Sequence, residues 1–425
     1  METKNKLNKT NFSKPTVRAV LVVDDESEWT EDVLVALAAQ DYQNIKTLVI
    51  DKRKVDSTGE LKAQLDSVLP GSTFIQMLAS DNFATGANFL LKKECQHLQE
   101  SFYLFMREEV LLGATCVRRM IEVAIENNAG IVGPKILSGD SPSSLEDMGS
   151  IFDHFCSPVK RVEKGETDQG QHDLPRQVSV VPDSLMLVRA DLFNAIKGYD
   201  IEVPSFHSTA EICSRAQLVG SKILLASNAV ATSFGGSKSK FKKSRKEILR
   251  PCIRLRIELA RNHGVALFFN FLRSLGISVS GIIYGIVTGR FALAWGHFIA
   301  WPWNLKRIRS LKMLKLVLLG QSNLVKNSVK QTVQFPHHSF RRAVTGSAPS
   351  GVGPDSIVKT RFHQLWAALL GPGGIALIVA GSILSFGSRN LIKNGLPAIG
   401  RFQHLPTDPF DLVRSWWHGW RTTAM

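Results

Sequence analysis

Residues 17–51 read VRAVLVVDDESEWTEDVLVALAAQDYQNIKTLVID. The run 17–23 is short, apolar and rich in valine, which predicts a parallel strand buried on both faces. Residues 29–40, WTEDVLVALAAQ, space their apolar positions as an amphipathic helix with acids in the first turn. KTLVID at 46–51 predicts a second buried strand. A strand, a helix and a strand in so short a stretch form a βαβ unit.

The same alternation continues outward. A helix is expected over 59–68, a strand over 73–77, a helix over 84–99 and a strand at FYLFM, 102–106. A helix at 114–127 and an apolar strand around Gly130–Gly133 follow. The fold class is therefore α/β, a doubly wound mixed sheet. Ligands of such sheets sit at the carboxyl ends of the strands. Asp24 and Asp25, Asp51, and Glu108 and Glu109 all fall there. One strand-end acid is ordinarily a cap or a solvated loop residue. Three such places on one sheet edge point to a polar ligand.

Residues 137–176 are polar and loop-rich, a long excursion over the sheet edge. Strand material returns at 178–189, with a short helix ending near Lys197 and Gly198. A helix at 209–218 and a strand at 222–226 close the domain.

Charge divides the chain. Residues 1–230 hold 24 Lys/Arg against 32 Asp/Glu, a net of −8, whereas the rest holds 28 against 5, a net of +23. Basic charge confined to one half calls for an anionic partner for that half. The basic stretches 237–262 and 305–330 bracket apolar sequence at 264–304 that carries Trp295, Trp301 and Trp303. That arrangement favours a membrane over nucleic acid, for which no reading motif is present. The uncharged stretch 364–386 is long enough for a bilayer span. The expected organisation is a disordered N-terminus (1–16), the α/β domain (17–236), a basic membrane-associated helical hairpin region (237–330), a linker (331–362), a transmembrane helix (363–387) and an extracytoplasmic tail (388–425). Residues 264–304 either cross the bilayer or only enter it. No secretory signal is visible, so the first domain is expected in the cytoplasm. Five scattered cysteines without a CxxC pair argue against a disulfide scaffold or zinc ribbon.

Several segments resemble glycosyltransferase family 2, the GT-A nucleotide-sugar fold, in its actinobacterial membrane-attached type that builds cell-surface polysaccharides. They are VLVALAAQDYQNIKTLVID, DNFATGANFLL (Asp81–Leu91), NNAGIVGPKIL (Asn127–Leu137), GETDQGQHD (Gly165–Asp173), SLMLVRADLFNAIKGYD (Ser184–Asp200) and ALAWGHFIAWPWNLKRIRSL. The resemblance implies transfer of a sugar, of hexosyl or rhamnosyl type, from a nucleoside-diphosphate sugar. The acceptor would be a cell-surface glycan or a lipid-linked molecule at the inner membrane face. It implies donor contacts at Asp24, Asp51, Asp56, Asn82, Gly86, Asn88 and Glu108, and a divalent metal, Mg or Mn, at Glu108 and Glu109. It places Asp183, Ser184 and Arg215 on the acceptor side, and it leaves room for a partner membrane protein.

Two departures from the family pattern matter. The metal motif, usually two aspartates, is Arg107-Glu108-Glu109-Val110 here. The position of the catalytic base is Thr209, which cannot take a proton at neutral pH, so His207 or Glu211 would have to substitute. Two readings stay open: a working inverting transferase, and a catalytically impaired relative that binds or scaffolds. The chain stops soon after Trp416, Trp417 and Trp420, where similar proteins continue into membrane, so a shortened or split member is expected.

Overall fold

The computed structural model describes residues 14–23, 30–51, 58–77, 83–91, 100–153, 155–162, 165–170, 175–234, 243–261 and 265–311, with Val344 and Ser382 besides. The chain separates into two compact units, 1–350 and 351–425. The second contains the expected span at 363–387 and the tail, which lie outside the described residues apart from Ser382.

The first unit opens with β1 (Val17–Val23), α1 (Thr30–Ala38), β2 (Ile45–Asp51), α2 (Thr58–Val68) and β3 (Thr73–Gln76). Next come α3 (Phe83–Ala87), a 3-10 turn at Asn88–Leu91, β4 (Phe102–Arg107), β5 (Val110–Leu112), α4 (Cys116–Glu126) and β6 (Ala129–Ser138). Three short strands follow, β7 (Leu145–Asp147), β8 (Ser150–Phe152) and β9 (Pro158–Lys160). The domain ends with β10 (Arg176–Gln177), β11 (Leu185–Arg189), α5 (Ala190–Ala195), α6 (Ser205–Leu218) and β12 (Lys222–Ser233). The strand order is β10-β12-β6-β11-β4-β1-β2-β3. The β4-β1-β2-β3 half is parallel, and β11 runs antiparallel between β4 and β6.

Strand alternation sorts the core into two layers. Val20 and Val22 of β1 pack on one face with Ala84 of α3, Phe193 of α5 and Ile212 of α6. Ala19, Leu21 and Val23 pack on the other with Leu34 of α1, Leu61 of α2 and Met120 of α4. Both faces of β1 are buried, as its unbroken apolar run requires. A buried leucine contributes about 1.5–3 kcal/mol, so each layer is a substantial source of stability.

The sequence expectations need several adjustments. The helix expected over 84–99 is α-helical only at Phe83–Ala87 and goes on as a 3-10 turn to Leu91, with 92–99 outside the described residues. The helix expected over 209–218 begins at Ser205. The excursion at 137–176 is partly ordered: β7 joins the sheet beside β6, and β8 with β9 forms a separate ribbon. The strand expected over 178–189 forms only at Leu185–Arg189, because Val180 is held by an isolated bridge to Ser150. Strand β12 runs seven residues past its expected end at Ala226. A register shift between Ala226 and Val230 lets it go on pairing with β6.

Three helices follow: α7 (Lys243–Arg261), α8 (Val265–Val287) and α9 (Phe291–Lys306). Small residues set how closely they approach. A Cβ on Gly296 would lie 2.6 Å from the Ile248 carbonyl oxygen, and one on Gly285 would lie 2.8 Å from the Ala294 Cβ. Within α8, Phe269–Val287 is long and apolar enough to cross a membrane, and 28% of its most apolar window is buried in the protein. Phe269, Leu272, Val279, Ile283 and Ile286 are exposed along it, and Phe291, Trp295 and Phe298 are exposed on α9. Trp301 and Trp303 turn partly inward. Trp301 donates to the Ser278 hydroxyl, and Trp303 lies under the guanidinium of Arg307.

Candidate functional site

The register brings the carboxyl ends of the parallel strands to one edge. Val22 pairs with Arg107, Val23 with Asp51, and Asp51 with Gln76. Because β11 is antiparallel to β4, its beginning meets the end of β4: Leu185 pairs with Met106, and the Arg107 amide donates to the Ser184 carbonyl at 3.1 Å. Asp183 is thereby set beside Arg107.

Asp183 is the hub of this edge. Its Oδ2 accepts from Arg107 Nη2 at 2.5 Å, and its Oδ1 accepts from the Thr209 hydroxyl at 2.6 Å. Its carbonyl also accepts from Arg107 Nε at 3.3 Å. The three residues line a small cleft with Phe83, Phe105, Met106, Met186, Tyr199 and Ser208. The floor is an aromatic cluster, with Tyr199 edge-on to Phe105 at 5.2 Å and to Phe83 at 5.3 Å.

Asp51 ends β2 with no exposed surface, and its carbonyl accepts from the Met77 amide. Gly86 is buried, and an added Cβ would meet Met77 Sδ at 3.1 Å and Ile50 Cδ1 at 3.3 Å. Asn88 spends both edges of its amide on the backbone of Tyr199, at 2.8 Å each, and so ties the DNFATGANFLL segment to the cleft floor. Asp24, Asp56 and Asn82 lie outside the described residues.

Glu211 and Arg215 are not brought to the cleft edge. They form a buried two-pronged pair, Nε to Oε1 at 2.5 Å and Nη2 to Oε2 at 2.6 Å, and Arg215 Nη1 donates to the Ile196 carbonyl. Burial raises the Glu211 carboxyl, and the charge of Arg215 opposes that rise. With both oxygens engaged, Glu211 is placed to hold α6 against α5 rather than to take a proton from a substrate. His207 lies within electrostatic reach of Asp183. Burial pushes its imidazole down to about 4, assisted by the charges of Arg250 and Lys246, so it is neutral at pH 7.

Glu108 and Glu109 form the turn between β4 and β5, and neither is among the residues that line the cleft. Glu108 is buried, and Glu109 lies within electrostatic reach of Glu146. Among the described residues no three His, Cys, Asp or Glu side chains converge as a metal site. Among the described residues, the cleft lining supplies one carboxylate and one guanidinium. That donor set, as arranged, does not fit a divalent ion.

The two arginine–carboxylate pairs differ in kind. The side chains of Arg107 and Asp183 are 26% and 41% exposed, whereas those of Arg215 and Glu211 are 2% and 4% exposed. An exposed pair contributes at most about 1 kcal/mol, and breaking a buried one costs about 3–5 kcal/mol. The first can exchange partners and the second cannot.

No protein-family model matches the chain, and no curated protein matches it. Solved structures do resemble it. GalNAc-T7 with UDP, GalNAc and Mn2+ is 10% identical with a TM-score of 0.44; the match covers 62% of this chain and 48% of that one, so this chain spans about half of it. The mannosyltransferase PcManGT from Pyrobaculum calidifontis, in complex with GDP-Man and Mn2+, is 11% identical with a TM-score of 0.42, over 74% of this chain and 89% of that one. S. aureus TarS 1–349 is 14% identical with a TM-score of 0.43, over 74% and 91%.

Proposed function

We propose that the chain is a glycosyltransferase using a nucleoside-diphosphate sugar, of the family 2 type that its segments resemble. The observation that carries this reading is the shared edge of the sheet. Asp51 ends β2 and Arg107 ends β4 on the same carboxyl edge of the sheet, and the Arg107–Asp183–Thr209 cluster lines an aromatic-floored cleft there. Asp51 would accept hydrogen bonds from the N–H groups of the base. The sugar would lie at the mouth of the cleft, beside Arg107 and Asp183, whose side chains keep exposed surface there.

Transfer would be inverting. The acceptor hydroxyl attacks the anomeric carbon, the bond to the diphosphate oxygen breaks, and the nucleoside diphosphate leaves with the electron pair. The hydroxyl proton passes to a carboxylate. Asp183 is the carboxylate at the cleft, held in place by the Thr209 hydroxyl, and it takes the role that the family assigns to position 209. The acceptor would be a surface glycan or lipid-linked molecule at the inner membrane face. The exposed apolar stripe of α8 supports that setting, with the span at 363–387 as a second attachment.

A second reading is a binding or scaffold relative without turnover. It is favoured by one observation, the ion pair of Arg107 with Asp183 in the lining of the cleft. The two readings are separated by a calorimetric screen of nucleoside-diphosphate sugars against the detergent-solubilised full chain, followed by a donor-hydrolysis assay on each binder. Slow hydrolysis of a bound donor supports the transferase, binding without cleavage supports the scaffold, and no binding overturns both.

A further inference from the structure

Resting on the nucleotide-sugar reading above, we propose that Arg107 is the group that holds the donor's diphosphate, and that Asp183 is its internal counter-ion, displaced when the diphosphate arrives. Three observations converge. Arg107 lies at the carboxyl end of the central strand β4 and lines the cleft, whereas neither Glu108 nor Glu109 lines it. The strand ends that carry Arg107 and Asp51 are two strands apart in the order β4-β1-β2, about 10 Å between backbones on ordinary strand spacing, which is the span of a ribose and its first phosphate. The pair of Arg107 with Asp183 is part-exposed, unlike the buried pair of Arg215 with Glu211, so it is the arginine whose partner can be exchanged.

The chemistry of the exchange is simple. A guanidinium keeps its charge at any working pH and presents a planar fork to phosphate oxygens. A diphosphate carries more negative charge than the single carboxylate it replaces. It therefore wins the guanidinium while neutralising part of its own charge, the task a divalent ion would otherwise perform. Asp183 is not expelled, because the Thr209 hydroxyl still holds its Oδ1 at 2.6 Å. The exchange thus leaves a carboxylate in the cleft with one oxygen newly released. Donor binding and the readiness of that carboxylate become one event.

The test uses the full chain in detergent and inorganic pyrophosphate as the probe, by calorimetry in EDTA and again in Mn2+. Wild type should bind pyrophosphate in EDTA. Arg107→Gln should weaken it by about tenfold or more, and Arg107→Lys should restore part of the loss. Asp183→Asn, which removes the competing charge, should tighten it several-fold. Thermal midpoints of the variants check that each is folded. Binding that requires Mn2+, binding unchanged in Arg107→Gln, binding weakened in Asp183→Asn, or no binding by wild type would each overturn the proposal. A separate panel of nucleoside-diphosphate sugars keeps the two ideas distinguishable. If pyrophosphate binds through Arg107 but no nucleotide sugar binds, the transferase reading fails and the anion site stands. If a nucleotide sugar is cleaved while pyrophosphate binding ignores Arg107, the transferase reading stands and this proposal fails.

Discussion

The α/β domain and the helical region after it use charge in opposite ways. The first carries an excess of acid, and Asp51, Glu108 and Glu109 stand at the carboxyl ends of its parallel strands. The second carries an excess of base, yet many of its arginines turn inward. Arg254 pairs with Glu258, Arg273 with Glu258, Arg290 with Glu247, Arg256 with Asp200 and Arg307 with Glu202. Asp200 and Glu202 belong to the α/β domain, so two of these pairs staple the helices to the segment just before α6. Net charge by segment therefore overstates how much basic surface is left for an anionic partner. The apolar stripe on α8 carries more of the argument for a membrane than the lysines and arginines do.

That contrast can be broken outright. Screening releases a protein held by charge alone and leaves one held by a buried apolar face. A high-salt wash of membranes should leave the full chain in the pellet, and detergent should release it. Release by salt would return the basic residues to first place and remove the role given to Phe269–Val287.

The joint between the regions gives the next largest effect. Arg256 is almost wholly buried, with its guanidinium 2.5 Å from Asp200. Arg256→Ala would strand a buried carboxylate and should cost about 3–5 kcal/mol. Replacing both partners with apolar residues should recover most of that loss. The measurement is the denaturation midpoint in detergent. A single variant as stable as wild type would mean that the pair is no staple.

Within the α/β domain, Asp51→Ala should weaken donor binding by about 1.5–3 kcal/mol, the contribution of a charge-assisted bond, with little change in Mn2+ dependence. Calorimetry with whichever donor binds reads this directly. Unchanged affinity would move the base-binding end of the site away from β2.

Much of this was legible in the sequence because buried parallel strands announce themselves. VRAVLVV, KTLVID and FYLFM were read within a residue of their ends, since each is buried on both faces and bounded by polar sequence. The Arg107–Asp183–Thr209 cluster is not legible in the sequence, although each of the three residues falls at a position that the family resemblance marks. Their meeting depends on β11 running antiparallel beside β4, and strand direction leaves no mark on apolar periodicity. Glu211 and Arg215 looked available for chemistry because nothing in the sequence says which face of α6 is buried deepest. Their i, i+4 spacing was the signal for the pair they form.

The smallest expected effect comes from His207, at the edge of the cleft where the two regions meet. Its neighbours are Asp183 from the sheet domain and Lys246 and Arg250 from α7. Burial and the two cations favour the neutral ring, and Asp183 opposes them only in part, so the folded protein holds the imidazole at about 4 against an ordinary 6.5. Between those values the unfolded chain binds more protons than the folded one, and stability rises with pH across the window. The contribution is complete above about pH 6.5 and is lost as pH falls toward 4. Allowing for its partial exposure, the loss should be about 2 kcal/mol. Denaturation midpoints measured from pH 7.5 down to 4 should show this slope, and His207→Gln, which cannot charge, should flatten it while changing little at pH 7.5. Arg250→Gln should make the total loss smaller and end the slope at a higher pH, because one of the cations that keeps the ring neutral is gone. An identical slope in wild type and His207→Gln would assign the acid sensitivity to the carboxylates of the buried pairs instead.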